Sequence, residues 1–547
     1  MRRFSRIAAL IICFAFAASS QPASWGDQGD GTYKNPILNA DYPDVDVEKL
    51  GDTYYMISST NHFAPGMILL ESKDLVNWTI IGHVFDRLDW EPQYNYDRMD
   101  GYSFGVWAGD LAYNDGKWYC YFVDTRSGLY MSEAEDIRGP WTRARLMLKK
   151  TNWTDPAVYW DREKKEAWLV VNFGRDPENP GAGNQTRMFR MSWDGRRLLD
   201  EGKVIYRGPG AEAAKIYVID GTWYIFISEW RGSDRKQLVL RGPGPYGPFE
   251  RKVVMDRHDA LDRSTCQGAL VQAPDGSWWL THQLVQHRAL TDQDLAGPST
   301  TKSYEGRSQW LVPVTWKDGW PMPGHDADGD GIGETVFAHR KPVDGFPVAA
   351  PQTSDEFSAP GLGHQWEWNH NPNDERWSLA ERPGWLRLKA SVPVGEGGFW
   401  RAPNTISQRI MGTGKGVATA KLDLSGVKPG QQAGFCHQSG QYVLAGVRVD
   451  DGGARRLVFN HDGNVTLGPE IGQDTVYFRT DIDGNQATVS YSLDGEDWKP
   501  LGRRFELTFG RWRGDRLGFY CWNEKSPAGH IDIDWFRHTY DGPLGGR

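Results

Sequence analysis

The feature that most constrains the fold is a hairpin pattern that recurs five times in the first 290 residues. Each copy has a short apolar strand, a turn with Gly or charged residues, and a second strand that begins with aromatics. The copies lie at residues 45–57, 111–123, 157–171, 213–227 and 269–282. Asp-Gly turns between alternating β-formers are typical of hairpins. A spacing of roughly 50 to 65 residues suits one four-stranded blade per copy, so the pattern predicts a five-bladed β-propeller.

A different pattern begins after the Pro-rich stretch at residues 341–351. Short strands separated by turns follow, and the hairpin signature no longer recurs at blade spacing, which argues against further blades. Such patterning is typical of a β-sandwich. The predicted strands lie at residues 385–390, 417–424, 443–449, 476–481, 487–492 and 530–537. We therefore predict an all-β protein with a propeller over residues 30–345 and a sandwich over residues 352–547.

The N-terminus predicts export. Residues 1–24 combine a basic start, a short apolar stretch and a small-residue exit, which is typical of a secretory signal peptide. The mature protein is therefore expected to be secreted or periplasmic. No later segment is apolar for long enough to span a bilayer.

Charge and cysteine content exclude other classes. The formal net charge is −9, with acidic and basic residues interspersed, which argues against a nucleic-acid partner. Beyond the signal peptide the cysteines are too few for a disulfide scaffold in a chain of 547 residues, and isolated buried thiols are expected. They are Cys120, Cys266, Cys436 and Cys521.

The residues just before the five predicted first strands are mostly acidic. In a propeller these strands line the central axis, so the preceding side chains are expected to meet at one end of the channel. Like charges that meet in one pocket repel each other, which favours a functional role over a purely structural one. The alternative is that each residue caps its own turn. The five residues are Asp44, Asp110, Asp155, Glu212 and Gln267.

Three such carboxylates would suit glycoside hydrolysis with inversion. That reaction needs a base to activate water and, across the sugar, an acid with a raised pKa to protonate the leaving oxygen. A third carboxylate can orient the acid and tune its pKa.

Several motifs in order also resemble glycoside hydrolase family 43. They are Asn35-Pro36-Ile37-Leu38, Tyr42-Pro43-Asp44, Trp107-Ala108-Gly109-Asp110-Leu111, Thr154-Asp155-Pro156, Glu212-Ala213-Ala214-Lys215-Ile216-Tyr217 and Gly306-Arg307 with residues 311–316. Residues 355–378 are similar to the concanavalin-like C-terminal domain of that family's β-xylosidases. Together these matches span nearly the whole mature chain.

The resemblance implies a role for each of the three carboxylates. Asp44 is expected to be the general base and Glu212 the general acid, while Asp155 raises the pKa of the acid and holds it in place.

The resemblance also implies a set of substrate-binding residues. Arg307 is expected to hydrogen-bond the terminal sugar through its rigid guanidinium. Trp107 and Phe63 are expected to stack around that sugar, although Phe63 also suits a packing role. Gln267 and Asp110 are predicted to contact the substrate as well.

The implied function is a secreted inverting exo-glycosidase that removes terminal α-L-arabinofuranosyl or β-D-xylosyl groups from plant cell-wall polysaccharides or oligosaccharides. Two alternatives stay open, a non-catalytic carbohydrate-binding propeller and a retaining fructan-type glycosidase. No cofactor is required for the expected reaction.

Metal binding is predicted at one loop. Asp326, Asp328 and Asp330 alternate around glycines as in a calcium loop, but Phe337 stands at the twelfth position, where such loops place Glu. The segment is therefore either a structural calcium site or an Asp/Gly-rich turn. Many family members have Gly-His-Gly near a central calcium where this chain has Cys266-Gln267-Gly268, which leaves an axial metal open.

Overall fold

The computed structural model describes residues 23–174, 183–231, 234–256, 263–286, 304–412 and 414–543. These parts of the chain are almost entirely β, and their only helices are the short 3-10 turns Pro92–Tyr94, Asp374–Arg376 and Gly398–Arg401. The predicted signal peptide lies outside them, apart from its last two residues. No helix in the described ranges is long and apolar enough to cross a membrane.

Five antiparallel four-stranded sheets form the propeller, which confirms the predicted architecture. Each predicted hairpin supplies the first two strands of one blade. The blades are Asp46–Leu50, Thr53–Ser58, Gly66–Ser72 and Thr79–Phe85 in blade 1; Gly109–Asn114, Lys117–Asp124, Gly128–Ala134 and Arg145–Leu148 in blade 2; Trp153–Asp161, Glu166–Phe173, Asn184–Met191 and Lys203–Gly208 in blade 3; Glu212–Ile219, Thr222–Arg231, Asp234–Gly242 and Glu250–Met255 in blade 4; and Arg263–Gln272, Trp278–Gln286, Gln309–Lys317 and Trp320–Pro323 in blade 5.

The N-terminal segment connects the first blade to the last. Asn35 exchanges two hydrogen bonds with the backbone of Leu311 in blade 5, and Leu38 forms an antiparallel bridge with Gln309. A small three-stranded sheet of Gly26–Asp27, Thr32–Lys34 and Ala338–Arg340 lies outside the ring. Both ends of the propeller chain are therefore tied together by backbone pairing.

Two antiparallel sheets pack face to face in the C-terminal half, as predicted for a sandwich. Between them lies a continuous apolar core. In spatial order, one sheet contains Asn464–Ile471, Arg455–His461, Tyr442–Val449, Gln431–Gln438, Arg516–Asn523, Ile406–Arg409, Glu367–Asn369 and Phe63–Ala64, and the other contains Trp377–Ser378, Leu386–Lys389, His530–Tyr540, Lys415–Asp423, Thr475–Asp483, Gln486–Ser492 and Lys499–Pro500, with Phe505–Glu506 also paired to Gln486–Ser492.

The two halves share a sheet and a buried ionic network. The propeller strand Phe63–Ala64 pairs with Glu367–Asn369 and so extends the first sandwich sheet. The fully buried Glu367 accepts hydrogen bonds from Arg409 at 2.7 Å and Arg516 at 2.8 Å, and Arg409 Nε also donates to the carbonyl of Asp41 in the propeller at 2.6 Å. Because buried charges need such partners, this network favours a fixed position of the sandwich on the propeller.

The cysteines agree with the prediction where they are described. Cys120, Cys436 and Cys521 are buried and free. The side chain of Cys266 lies outside the described set.

Candidate active site

A pocket opens where the first strands of the blades begin. Asp44, Asp155 and Gln267 all adopt positive φ angles, of 57°, 52° and 55°. In blades 3 and 5 a β-bulge at these positions interrupts the pairing with the second strand. Bulges redirect side chains and are frequent beside active sites. The pocket is lined by Asp44, Asn61, Trp107, Ala108, Thr154, Asp155, Glu212, Arg235, Gln267, Arg307 and Trp512.

Asp44 is held by fixed donors. Arg307 Nη1 donates to Asp44 Oδ1 at 2.7 Å, and Ser59 Oγ donates to Asp44 Oδ2 at 2.7 Å. Gln283 Nε2 also donates to Oδ1, at 3.4 Å. The carboxylate therefore has a defined orientation at the pocket wall.

Asp155 lies next to the strand that carries Glu212. Its Oδ2 accepts a hydrogen bond from the backbone N–H of Ala213 at 3.0 Å, and its Oδ1 accepts one from Gln267 Nε2 at 3.2 Å. In blade 4 the bulge lies between Glu212 and Lys215, and Ala213 there has φ of 59°. Glu212 thus stands one position before the residue equivalent to Asp155, rather than at the same position in its blade.

The electrostatics of Glu212 differ from those of an ordinary glutamate. The pKa of Glu212 is raised to about 7. Burial is the largest cause, Arg235 opposes the shift, and the charges of Asp155 and Asp44 add to it. Burial also raises the pKa of Asp155, with a contribution from the charge of Asp44. A carboxylic acid that stays protonated near neutral pH can donate a proton to a leaving group.

Arg235 is a pocket residue that the sequence did not indicate. Its Nη1 lies 3.1 Å from Glu212 Oε1, and its guanidinium lies 3.4 Å from the centroid of the Trp230 ring. Trp230 and Arg235 are opposite each other in the hairpin of the second and third strands of blade 4. Nothing in the hairpin pattern distinguishes this arginine from the other charged residues of outer strands.

Arg307 reaches the pocket from the segment before the third strand of blade 5. Its backbone N–H donates to Asp41 Oδ1 at 3.1 Å, and Nη2 donates to the carbonyl of Trp512 at 3.2 Å. Gly306 precedes it with φ of 83°, and a Cβ there would lie 2.2 Å from Asp41. Only glycine fits this close approach, which explains the Gly306-Arg307 pair.

The sandwich contributes Trp512, which was also missed. Its ring lies 6.2 Å from that of Trp107 at an interplanar angle of 61°, so the two indoles form adjacent walls. Arg511 and Trp512 have φ of 53° and 62°, a conformation that is uncommon for bulky residues. Arg513 ties the loop to the propeller through Asp41 and Asn61.

Asp110 lies outside this pocket, contrary to the prediction. Asp46 Oδ2 accepts the N–H of Leu111 in blade 2, and Asp110 Oδ2 accepts the N–H of Val158 in blade 3. Asp110 is therefore equivalent to Asp46, two residues beyond Asp44. It lies further along the channel, where Lys215 Nζ is 2.9 Å from Asp46 and 3.5 Å from Asp110.

Phe63 is also outside the pocket. Its ring is buried at the interface, with the Arg516 guanidinium 4.2 Å from the ring centroid. Phe63 was predicted to stack around the sugar, but it lies in the strand that joins the sandwich sheet, away from the pocket. The other predicted catalytic and substrate-binding residues all line the pocket; they are Asp44, Asp155, Glu212, Arg307, Trp107 and Gln267.

The predicted calcium loop is separate from the pocket. One carboxylate oxygen from each of Asp326, Asp328 and Asp330 lies within 4.8 Å of the others. Gly331, at the sixth position, has φ of 81°. Oxygen donors at this spacing fit a hard cation such as calcium, so the calcium site stays a prediction.

A propeller that gathers three carboxylates, two arginines and two tryptophans around one pocket defines the class as a carbohydrate-active hydrolase. The family model described as Glycosyl hydrolases family 43 matches residues 33–321. The Beta xylosidase C-terminal Concanavalin A-like domain matches residues 354–539. The chain therefore belongs to glycosyl hydrolase family 43, and it is a glycoside hydrolase of the β-xylosidase/arabinofuranosidase type.

Individual relatives span most of the chain. A β-xylosidase from Formosa agariphila is 51% identical, over 96% of this chain and 93% of the relative. A xylan 1,3-β-xylosidase from a Vibrio species is 27% identical, over 93% of this chain and 99% of the relative. Among solved structures, a GH43 glycoside hydrolase engineered to display both endo-xylanase and exo-arabinofuranosidase activity has a TM-score of 0.78 and 25% identity, over 93% of this chain and 99% of that one.

Proposed function

We propose that the protein is an inverting exo-glycosidase that removes terminal pentoses, with Asp44 as general base, Glu212 as general acid and Asp155 as the residue that tunes the acid. The observation that carries this proposal is the meeting of the three carboxylates in one pocket, with the pKa of Glu212 raised to about 7.

Asp44 is suited to activate water. Its three donors keep the carboxylate in one orientation, so an oxygen can accept a proton from a water molecule placed between it and the sugar. An inverting pair needs room for that water, which corresponds to a carboxyl separation of about 6.5 to 9.5 Å. In the same step Glu212 would protonate the leaving oxygen.

The pH dependence follows from the acid. Glu212 must be protonated to act, so kcat/KM is expected to fall as the pH rises through about 7. A profile that stayed flat from pH 6 to 9 would contradict the assignment of Glu212.

The walls of the pocket favour a chain end as substrate. Trp107 from the propeller and Trp512 from the sandwich lie on one side, and Arg307 bridges Asp44 and the Trp512 carbonyl. Within the described residues, the buried Nε of Arg307 has no hydrogen-bond partner. Only free pentose is expected as an early product, and internal oligosaccharides would contradict exo action.

The β-D-xylosyl group is the first candidate substrate, because the relative from Formosa agariphila is a β-xylosidase. The α-L-arabinofuranosyl group is the second, since exo-arabinofuranosidase activity occurs in the engineered relative. Assays with the 4-nitrophenyl glycosides of both sugars distinguish them, and proton NMR of the first-formed anomer tests inversion. Retention would favour the fructan-type mechanism, and no hydrolysis of either glycoside would favour a binding protein.

We also propose that the enzyme is exported and acts on plant cell-wall xylan or arabinan. The basic and apolar pattern of residues 1–24 supports export. The test is whether the protein made in its source organism lacks these residues and is found outside the cytoplasm.

A further inference from the structure

Arg235 lies beside the proposed acid, Glu212, and has no role in the reaction proposed above. It comes from the hairpin tip of blade 4, and its side chain is buried on the pocket wall. Its Nη1 contacts Glu212 Oε1 at 3.1 Å. A guanidinium there is unexpected for packing alone, because burying a charge is costly unless it serves a partner.

The guanidinium is held rigidly. It lies 3.4 Å from the centroid of the Trp230 ring, which fits a stacked cation–π contact. Trp230 and Arg235 also face each other across the hairpin, so backbone pairing sets their separation. Glu212 is therefore restrained on one side by a cation that has little freedom to move away.

The charge of Arg235 acts on both forms of the acid. The charged groups that act most on Glu212 are Arg235 from its own blade, Asp155 from blade 3 and Asp44 from the segment before blade 1. Arg307 from blade 5 lines the same pocket and is paired with Asp44 at 2.7 Å. The two carboxylates favour protonated Glu212, whereas Arg235 favours the anion. That anion is the form in which Glu212 is left after it gives its proton to the leaving oxygen.

We propose that Arg235 is a positioning residue for the acid, which orients the Glu212 carboxyl and stabilises the carboxylate formed on proton donation. This inference rests on the proposed role of Glu212. It predicts that Arg235 matters most when the leaving group needs protonation. An aryl leaving group needs little, whereas the sugar alcohol of a disaccharide needs it fully.

The test compares Arg235→Met with wild type on xylobiose and on 2,4-dinitrophenyl β-D-xyloside, or on the matching arabinofuranosides if that sugar is preferred. Loss of the cation should move the alkaline limb of kcat/KM upward by about one pH unit. It should lower kcat on the disaccharide by about tenfold, with less than about a twofold change on the aryl glycoside. Arg235→Lys should restore most of the wild-type limb, because it keeps the charge.

Lys236→Met is the matched control. Lys236 is the next residue on the same strand, but its ammonium pairs with Asp256 at 2.6 Å and does not line the pocket. The Lys236→Met substitution removes the same charge and should leave the pH profile and both kcat values unchanged. If Arg235→Met does not fold, Arg235→Gln provides the same measurement.

The outcomes separate the two proposals. If wild type hydrolyses both substrates with an alkaline limb and Arg235→Met leaves that limb in place, or lowers both kcat values equally, Arg235 is only structural and the inference fails alone. If wild type hydrolyses neither substrate, the proposed function fails and the inference fails with it.

Discussion

The propeller channel holds two groups of acidic side chains that differ in how their charge is balanced. Where the strands begin, Asp155 is buried and Glu212 is partly buried, and both carboxyls have raised pKa values. Further along the channel, Asp46 and Asp110 on the first strands of blades 1 and 2 are bridged by the ammonium of Lys215. Burial opposes the charge of Lys215, but Asp46 and Asp110 outweigh it and hold the pKa of this lysine above its usual value.

An active pocket requires more than buried carboxyls with raised pKa values. Lys215 also donates to the carbonyl of Gly109 at 3.0 Å, so one cation joins blades 1, 2 and 4. This bridge ties the ring together, but burial and the charge of Asp46 still raise the pKa of Asp110 to about 8, so a raised pKa does not by itself mark an active pocket. The pocket at the strand starts combines an acid of raised pKa with an oriented carboxylate and with walls formed by Trp107 and Trp512, so its groups can act on a substrate.

The largest effect is expected from the pocket carboxylates. Asp44→Asn and Glu212→Gln should each lower kcat/KM on an unactivated disaccharide by about a thousandfold or more, because proton transfer is lost. Glu212→Gln should keep more activity on an activated aryl glycoside than Asp44→Asn does. Circular dichroism should show a fold like wild type. Activity within tenfold of wild type in either variant would remove that residue from the mechanism.

The opposite outcome is expected for Lys215. Lys215→Met leaves two buried carboxylates without their cation and should lower the free energy of unfolding by about 3 to 5 kcal/mol, measured by urea denaturation. Adding Asp110→Asn should recover part of the loss. Lys164→Met is the control, since Lys164 is 66% exposed in its pair with Asp161 and the substitution should have little effect on stability. Equal losses in the two lysine variants would contradict the comparison.

Arg307 belongs to the pocket but carries no proton in the reaction. Arg307→Ala should lower kcat/KM by about a hundredfold, which corresponds to about 3 kcal/mol of charge-assisted hydrogen bonding. Both substrates should be affected alike, unlike the split expected for Arg235. If kcat/KM falls by only a fewfold, the role of Arg307 is limited to its contacts with Asp44 and Trp512.

The smallest effect is expected at the loop of Asp326, Asp328 and Asp330, a third acidic group that lies away from the channel. Calcium should raise the melting temperature by a few degrees, because it binds the folded loop only. Replacing the three aspartates with Asn should abolish the response and leave kcat unchanged. No shift on adding calcium or chelator would favour an Asp/Gly-rich turn.

Local signals explain what could be predicted. Each blade hairpin closes over a few residues, so its turn chemistry and alternation are visible in the sequence. In the sandwich, Lys415–Asp423 and Thr475–Asp483 alternate between buried and half-buried positions and were predicted. Gln431–Gln438 and Arg516–Asn523 are buried on nearly every residue and were missed, since a strand covered on both faces shows no alternation.

Local residue patterns were enough to predict the all-β architecture, the five blades and the carboxylates at the starts of three first strands. The packing of the folded chain was needed to show that Asp110 stands with Lys215, that Phe63 joins the sandwich sheet, and that Arg235 and Trp512 complete the pocket. A β-bulge adds one residue to a strand and so changes which side chains face the channel, but the alternation of apolar and polar residues around it does not reveal the bulge. Trp512 meets Trp107 from about 400 positions away in the chain, and such a contact exists only after the two domains have packed together.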